Sequence, residues 1–298
     1  MNCLICGSSN IETIDTVVSD FVMARITHDF VIGNNYKTKL CFCRDCTFSY
    51  YDYRLNKEEE DNLYKNYRDD TYQTTRERYE CWYTKKVNEI INSDEIALKE
   101  QQDQIKTMLF KNTDKDIKVA LDYGGNEGKS FVAEIGTRKK YVYDISGIKP
   151  IKGVEAISNY SELKNKKYDF IMCNMLFEHL SYPMADMKKL WDIGDKETIY
   201  YMEVPSENPF IEGNKFSLSK NLKLAFNPNY NFFKLVKYYL KSSQGTFMPM
   251  KEHINFFTEK SLKNMIEMSG FKSIVICKTT RNGKLGSSAV LSALFKKI

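Results

Sequence analysis

The spacing of hydrophobic positions divides the chain into stretches of different period. Over residues 1 to about 52, short β-like runs (Ile11 to Val18, Lys37 to Cys43, Phe48 to Tyr51) alternate with polar turns, the pattern of a small separate module. From Asn56 to about Lys111 the period lengthens. Tyr79, Tyr83, Val87, Ile90 and Ile91 recur at three- and four-residue intervals on a background rich in Lys, Glu and Gln, which predicts helix. Asn92-Ser93-Asp94 should interrupt it, because these side chains suit the start of a new helix. Further on, Lys118 to Tyr123, Lys140 to Asp144, Gly153 to Ile157, Tyr168 to Cys173 and Thr198 to Val204 read as short buried strands. Helical or loop segments separate them, among them an expected helix over Lys129 to Arg138, and this succession is that of βαβ units and a parallel sheet. Thr258 to Ser269 predicts an amphipathic helix with Thr258 as cap, Leu262, Met265 and Ile266 on one face, and Gly270 as stop. Two last strands, Ser273 to Thr279 and Ser288 to Phe295, should be joined through Asn282-Gly283, a hairpin-turn dipeptide.

Cysteine usage changes the picture of the first module. Five of the eight cysteines (Cys3, Cys6, Cys41, Cys43, Cys46) fall within the first 46 residues. Cys3-x2-Cys6 and Cys43-x2-Cys46 are two knuckles that together supply four thiolates for a tetrahedral, structural Zn2+, with Cys41 as an alternative ligand. The start of the chain shows no basic stretch followed by an apolar run, and no segment approaches the roughly 20 apolar residues of a membrane span. The expected compartment is therefore the cytoplasm, where paired cysteines hold metal more readily than disulfides. A net charge of +5, from 44 basic and 39 acidic residues, is too small an excess for a dedicated nucleic-acid coat and leaves small molecules as the expected partners.

The first strand of the predicted parallel sheet, Val119 to Tyr123, runs into Gly124-Gly125-Asn126-Glu127-Gly128. Glycines let the backbone approach a ligand at the carboxyl edge of such a sheet, and Asp144, ending the second strand, is placed to bind ribose hydroxyls. Asp122, immediately before the glycine turn, would repel a pyrophosphate, so a cationic or zwitterionic nucleoside fits better than a dinucleotide.

This stretch resembles motif I of class I methyltransferases that use S-adenosylmethionine (SAM), with Asn126 where the middle glycine is usual. Together with the cysteine module, it is similar to the zinc-containing sugar methyltransferases of deoxysugar pathways. The resemblance implies an α/β, Rossmann-like, seven-stranded methyltransferase sheet ending in an antiparallel hairpin. The expected organisation is a zinc-binding module over 1–52, a helical linker over 53–112 and a SAM-dependent domain over 113–298. Within it, an insertion at 206–251, with a helix from Pro228 to Lys241, would serve as a substrate lid or an interface. By the resemblance, Asp122, Gly124, Asn126 and Gly128 frame the methionine end of SAM, and Asn174 also belongs to the cofactor site. Asp144 meets the ribose, while Ser158 and Asn159 reach the adenine. His253 would be the base with Glu252 beside it, His179 an acceptor-side contact, and Tyr72 or Tyr67 a substrate contact. The family's Tyr-x-Glu-His motif has Met250 in place of Tyr, which favours O-methylation of a sugar or nucleotide-linked sugar over C-methylation. An RNA methyltransferase and a non-catalytic SAM-binding scaffold are the other readings. Against RNA stand the absence of an Asn-Pro-Pro-aromatic turn and of a Pro-Cys nucleophile.

Overall fold

The computed structural model describes residues 1–27, 29–31, 36–80, 82–212 and 248–298, and the structural statements below concern these. The helix expected from Pro228 to Lys241 lies outside them.

Strands β1 (Ile11–Val17), β2 (Lys37–Cys43) and β3 (Ser49–Tyr51) pair antiparallel, as their short runs predict. Between the first two lies α1 (Asp20–Ile26), capped by Ser19 and burying Phe21, Val22, Met23 and Ile26. Its few residues fall short of the span over which a helical period stands out. The linker folds as α2 (Lys57–Tyr64), α3 (Asp70–Tyr79), α4 (Lys85–Asn92) and α5 (Glu95–Asn112). The expected break is present, with the Asp94 side chain accepting the Ala97 amide at the start of α5.

The large sheet uses β4 (Val119–Tyr123), β5 (Lys139–Tyr143), β6 (Glu155–Ile157), β7 (Phe170–Asn174) and β8 (Ile199–Pro205), all pairing in parallel. The hairpin of β10 (Phe271–Gly283) and β11 (Gly286–Lys297) completes it antiparallel, giving seven strands in the order β10-β11-β8-β7-β4-β5-β6. Its central strands are apolar on both faces because helices cover both. Ala120, Phe170, Met172 and Tyr201 pack against Ile105, Met108 and Leu109 of α5. The alternate residues Leu121, Ile171, Cys173 and Met202 meet α7 (Pro183–Ile193) and α9 (Glu259–Met268), through Leu190, Leu262 and Met265 among others. Two short helices, α6 (Tyr160–Leu163) and α8 (Pro209–Glu212), complete the set among the described residues.

Two local expectations are corrected. Lys129 to Arg138 forms turns and not a helix. Gly136, at φ +68°, donates its amide to the Ile117 carbonyl, and Arg138 bonds Lys118, so the chain is drawn back beneath the start of β4 before a helix can develop. The final hairpin turns at Lys284 and Leu285, because Asn282 and Gly283 are already paired with Ser287 and Gly286. Glu100 accepts the Asn282 amide and Asp94 the Lys284 amide, so contacts with α5 set the position of the turn.

The cysteine module is stitched to the large sheet. Strand β9 (Asn255–Phe256) adds to the small sheet beside β3. Cys43, Cys46, Phe48 and Tyr50 share one core with Phe177, Phe257 and Leu262. Arg54 closes the junction. Its guanidinium donates to the carbonyls of Tyr51 (2.8 Å), Leu180 (3.1 Å), Ser181 (2.8 Å) and Ile254 (3.3 Å), and to Asn255 Oδ1 (2.7 Å). Every acceptor is neutral, and burial pushes the Arg54 pKa down to about 10, leaving it charged near neutrality. The Asn255 side chain in turn donates to Phe177 O and Leu180 O.

Arg54→Met should strand these carbonyls and remove about 3 kcal/mol of stability, since hydrogen bonds from a charged donor contribute about 1.5–3 kcal/mol each and do not add fully. Urea unfolding checks it, and an unchanged midpoint would mean the guanidinium is dispensable.

Candidate methyl-donor and acceptor site

The sheet reverses direction at β4. From there the chain builds β5 and β6 on one side, then β7 and β8 on the other, and open α/β sheets bind ligands in the crevice outside the carboxyl ends of such strands. Gly124, at φ +76°, lies where an added Cβ would come 2.6 Å from Leu176. At Gly125 an added Cβ would come 2.1 Å from Asp122 Cγ, so only glycine lets that carboxyl fold under the turn. Asn126 takes a left-handed conformation, φ +53°, which Asn tolerates best among non-glycine residues. This is why it can stand at the usual glycine. Its amide donates to Asp144 Oδ2 (2.8 Å), and Asp144 Oδ1 accepts the Ser146 amide (2.8 Å), so the acid ending β5 braces the turn.

A cavity opens above. Gly124, Asn126, Asp144, Ile145 and Ser146 form one wall, Met175, Leu176 and His179 a second, and Glu60, Tyr64 and Tyr67 a third. Ser158 and Asn159 are exposed, Asn159 holding Glu162, and they are not among the lining residues. Ile145 and Ser146, from the loop after β5, stand at the wall instead of residues after β6. Beneath the turn, Asp122 is fully buried and both its oxygens lack a hydrogen-bond partner. Burial, reinforced by the nearby Asp144 charge, raises its pKa to about 8. The Asn174 amide, at the end of β7, is likewise without a hydrogen bond. Polar atoms left this way at a ligand crevice fit the ammonium and carboxylate of a bound amino-acid moiety.

A second cluster of ionisable groups is built on Glu178 and His179, just beyond β7. The Glu178 carbonyl accepts the amides of Ile254 (2.8 Å) and Asn255 (3.0 Å), which brings His253 against His179 with ring centroids 4.8 Å apart. Glu178 is 1% exposed, and burial raises its pKa to about 7. Burial, with the charge on His253, holds His179 well below the usual histidine range. For His253 burial acts the same way, but Glu207, Glu178 and Glu252 outweigh it and raise its pKa. His253 Nδ1 lies 3.6 Å from Glu207 Oε2.

Glu252 and Tyr72 occupy other positions than the resemblance implied. Tyr72 is fully buried and its hydroxyl donates to Glu252 Oε1, while Glu252 Oε2 pairs with Arg76 at 2.6 Å. Burial would raise the Glu252 pKa, but Arg76 and Tyr72 hold it below the ordinary value. The pair is a charged strut from α3 to the His253 loop, with Tyr64 and Tyr67 as the tyrosines at the cavity. Met250 fills the core beside Val18 and Ile254 and brings no polar group. The sequence reading lacked Tyr64 and Glu178; the adjacency Glu178-His179 after a strand end was the available signal for the latter.

The four cysteines Cys3, Cys6, Cys43 and Cys46 converge, with Sγ atoms 3.5 Å apart for Cys3–Cys46 and for Cys6–Cys43. A tetrahedron of sulfurs at the usual Zn–S length of about 2.3 Å has edges of about 3.8 Å, so the set can close around one such ion. Cys41 contacts Met1 Sδ and stays outside this group.

A family model described as a methyltransferase domain matches residues 94–275, more than half the chain. The chain belongs to that family. It is a SAM-dependent methyltransferase, and its seven-stranded sheet is that of the class I fold. No curated protein matches its sequence. Similar solved structures include the 1,6-didemethyltoxoflavin-N1-methyltransferase of Burkholderia thailandensis, at 14% identity and TM-score 0.49, covering 90% of this chain and 98% of that one. A SAM-dependent methyltransferase of Anabaena variabilis matches at 11% identity and TM-score 0.47, over 72% and 92%. The magnesium protoporphyrin IX methyltransferase of Synechocystis matches at 13% and 0.42, over 70% and 86%.

Folding moves Asp122 from an ordinary carboxyl near 3.8 to one near 8. The folded chain thus keeps a proton that the unfolded chain has lost, and this group's contribution makes the ligand-free enzyme less stable as pH rises from about 4 to about 8. Asp122→Asn should therefore gain thermal stability over the wild-type enzyme, by a margin that widens between pH 5 and pH 8.5 and is lost from view only at acid pH. Parallel melting curves across that range would show that Asp122 ionises normally.

Proposed function

We propose that this enzyme transfers the SAM methyl group to a hydroxyl of a small sugar-type acceptor, a free or nucleotide-linked sugar of glycan biosynthesis, in the cytoplasm. The observation that carries the reading is the placing of Glu178, His179 and His253 together, with His179 on the wall of the cavity at the glycine turn. Methyl transfer is an in-line displacement. The acceptor oxygen attacks the methyl carbon, the C–S bond breaks with its electron pair going to sulfur, and the hydroxyl proton must leave. Asp122, Asn174 and the glycine turn orient the amino-acid end of SAM, Asp144 its ribose, and Tyr64 and Tyr67 close the cavity over it. The Glu178–His179–His253 cluster is where the acceptor oxygen loses its proton. Met250, packed into the core, offers no hydroxyl for the C-methylation alternative.

The four-cysteine group, in this reading, holds a structural Zn2+, because four sulfurs leave no coordination position for substrate. Among the described residues no helix is long and apolar enough to cross a membrane.

Two measurements test these assignments. Nucleotide sugars and glycan precursors incubated with labelled SAM should include one that is methylated with release of S-adenosylhomocysteine. His253→Ala should lose at least a hundredfold in that turnover with SAM affinity nearly unchanged, in line with the usual contribution of a positioned proton-transfer group. Methylation of RNA and of no sugar would replace the acceptor class. The purified enzyme should also contain one zinc per chain, and Cys6→Ser should lower both zinc content and melting temperature; full stability without metal would remove the structural zinc.

A further inference from the structure

The acceptor-side cluster contains an arrangement that proton transfer alone does not explain. His179 Nδ1 lies 3.0 Å from the carbonyl oxygen of Glu252. A carbonyl only accepts, so Nδ1 carries the hydrogen and Nε2 presents a lone pair. That lone pair faces Glu178 Oε1 at 3.8 Å, too far for a hydrogen bond between them. The other carboxylate oxygen, Glu178 Oε2, is buried and has no hydrogen-bond partner. His253 completes the group, and the three ligand atoms all lie within 4.8 Å of one another. Electron-rich atoms gathered in a buried place are stabilised by something positive among them, a proton or a metal ion.

The geometry points to a divalent metal site formed by Glu178, His179 and His253, distinct from the four-cysteine group and placed to bind the acceptor's oxygens. A cation among the three atoms lies within about 2.8 Å of each, and closing to about 2.0–2.2 Å asks only for small side-chain rotations. Two imidazoles and one carboxylate, with no thiolate, suit a first-row transition ion such as Fe2+, Co2+, Ni2+ or Zn2+. The surroundings are those of metal-bound histidines elsewhere. The Glu252 carbonyl fixes the tautomer of His179, Tyr64 Oη lies 3.1 Å from the same nitrogen, and Glu207 stands beside His253 Nδ1. Three protein ligands leave open positions, so a sugar presenting two adjacent oxygens would chelate the ion. The bound hydroxyl then ionises, its proton passing to water, and the alkoxide forms the O–CH3 bond as the C–S bond breaks onto sulfur.

This inference rests on the cluster being the acceptor site, but its test does not depend on finding the acceptor. The zinc-loaded enzyme is titrated with Co2+. One further equivalent should bind with weak visible d–d absorption and without the intense near-ultraviolet band of cobalt–thiolate bonds. Glu178→Gln and His253→Ala should each weaken that binding tenfold or more while keeping the zinc and the wild-type melting profile, Glu178→Gln being nearly isosteric. Co2+ entering only with the thiolate band, or binding both variants as it binds the parent, overturns the site and leaves the histidines as bases. Cobalt binding as described, with no sugar methylated in the screen, retains the metal site and removes the sugar acceptor.

Discussion

The candidate site depends on one guanidinium held by neutral oxygens. Arg54 bonds the end of β3, the turn after β7 and the loop before β9, and no element of regular structure contains all three. Asn255 repeats the linkage from the other side, accepting from Arg54 and donating to Phe177 and Leu180. Between them these two side chains fix the turn bearing Glu178 and His179 against the loop bearing His253. A carboxylate partner would satisfy Arg54 at one point, whereas carbonyls distribute its charge over several backbone segments and make their relative position the condition for keeping that charge buried.

On the donor side the same logic runs in reverse. Asp122 and Asn174 are buried with their polar atoms unsatisfied, and an unsatisfied buried group costs free energy that a bound partner can return. The turn that encloses them is over-determined. Gly125 must lack a side chain to admit Asp122, Asn126 must be left-handed, and Asp144 holds both the Asn126 and Ser146 amides. The backbone geometry of the turn is therefore established without a ligand, and under the proposed function part of the SAM-binding energy would come from relieving Asp122.

What the sequence discloses here is what depends on neighbours in the chain. Strands β4 to β8 stand out because burial on both faces leaves continuous apolar runs, and Asp122 and Asp144 because a strand end followed by glycine or turn residues has few other meanings. Lys129 to Arg138 misleads for a tertiary reason: its helix-compatible composition yields to the bonds that Gly136 and Arg138 make with the segment preceding β4. The hairpin is displaced for a similar reason, through Asp94 and Glu100 of a distant helix. Tyr72 and Glu252, expected as substrate and catalytic contacts, could not be placed from the sequence, because the choice between facing a cavity and facing Arg76 is made by the packing of α3. Arg54 leaves no local trace, since all of its partners except the Tyr51 carbonyl lie more than a hundred residues away.

The cysteine module acquires a role from this geometry beyond its own stability. Its residues do not rely on a core of their own, since they share one with Phe177, Phe257 and Leu262 of the large sheet's side. Here β3 of that unit accepts β9 as its edge partner, and β9 begins two residues after His253. The Tyr51 amide donates to the Ile254 carbonyl, and Thr47 and Thr258 meet through their hydroxyls. Whatever holds Cys43 and Cys46 in their turn also holds Ser49 to Tyr51, and through them the backbone on either side of His253. Order in the module is thus transmitted to the loop bearing His253 by strand pairing and by Arg54, over a few residues, and needs no contact between the thiolates and that loop.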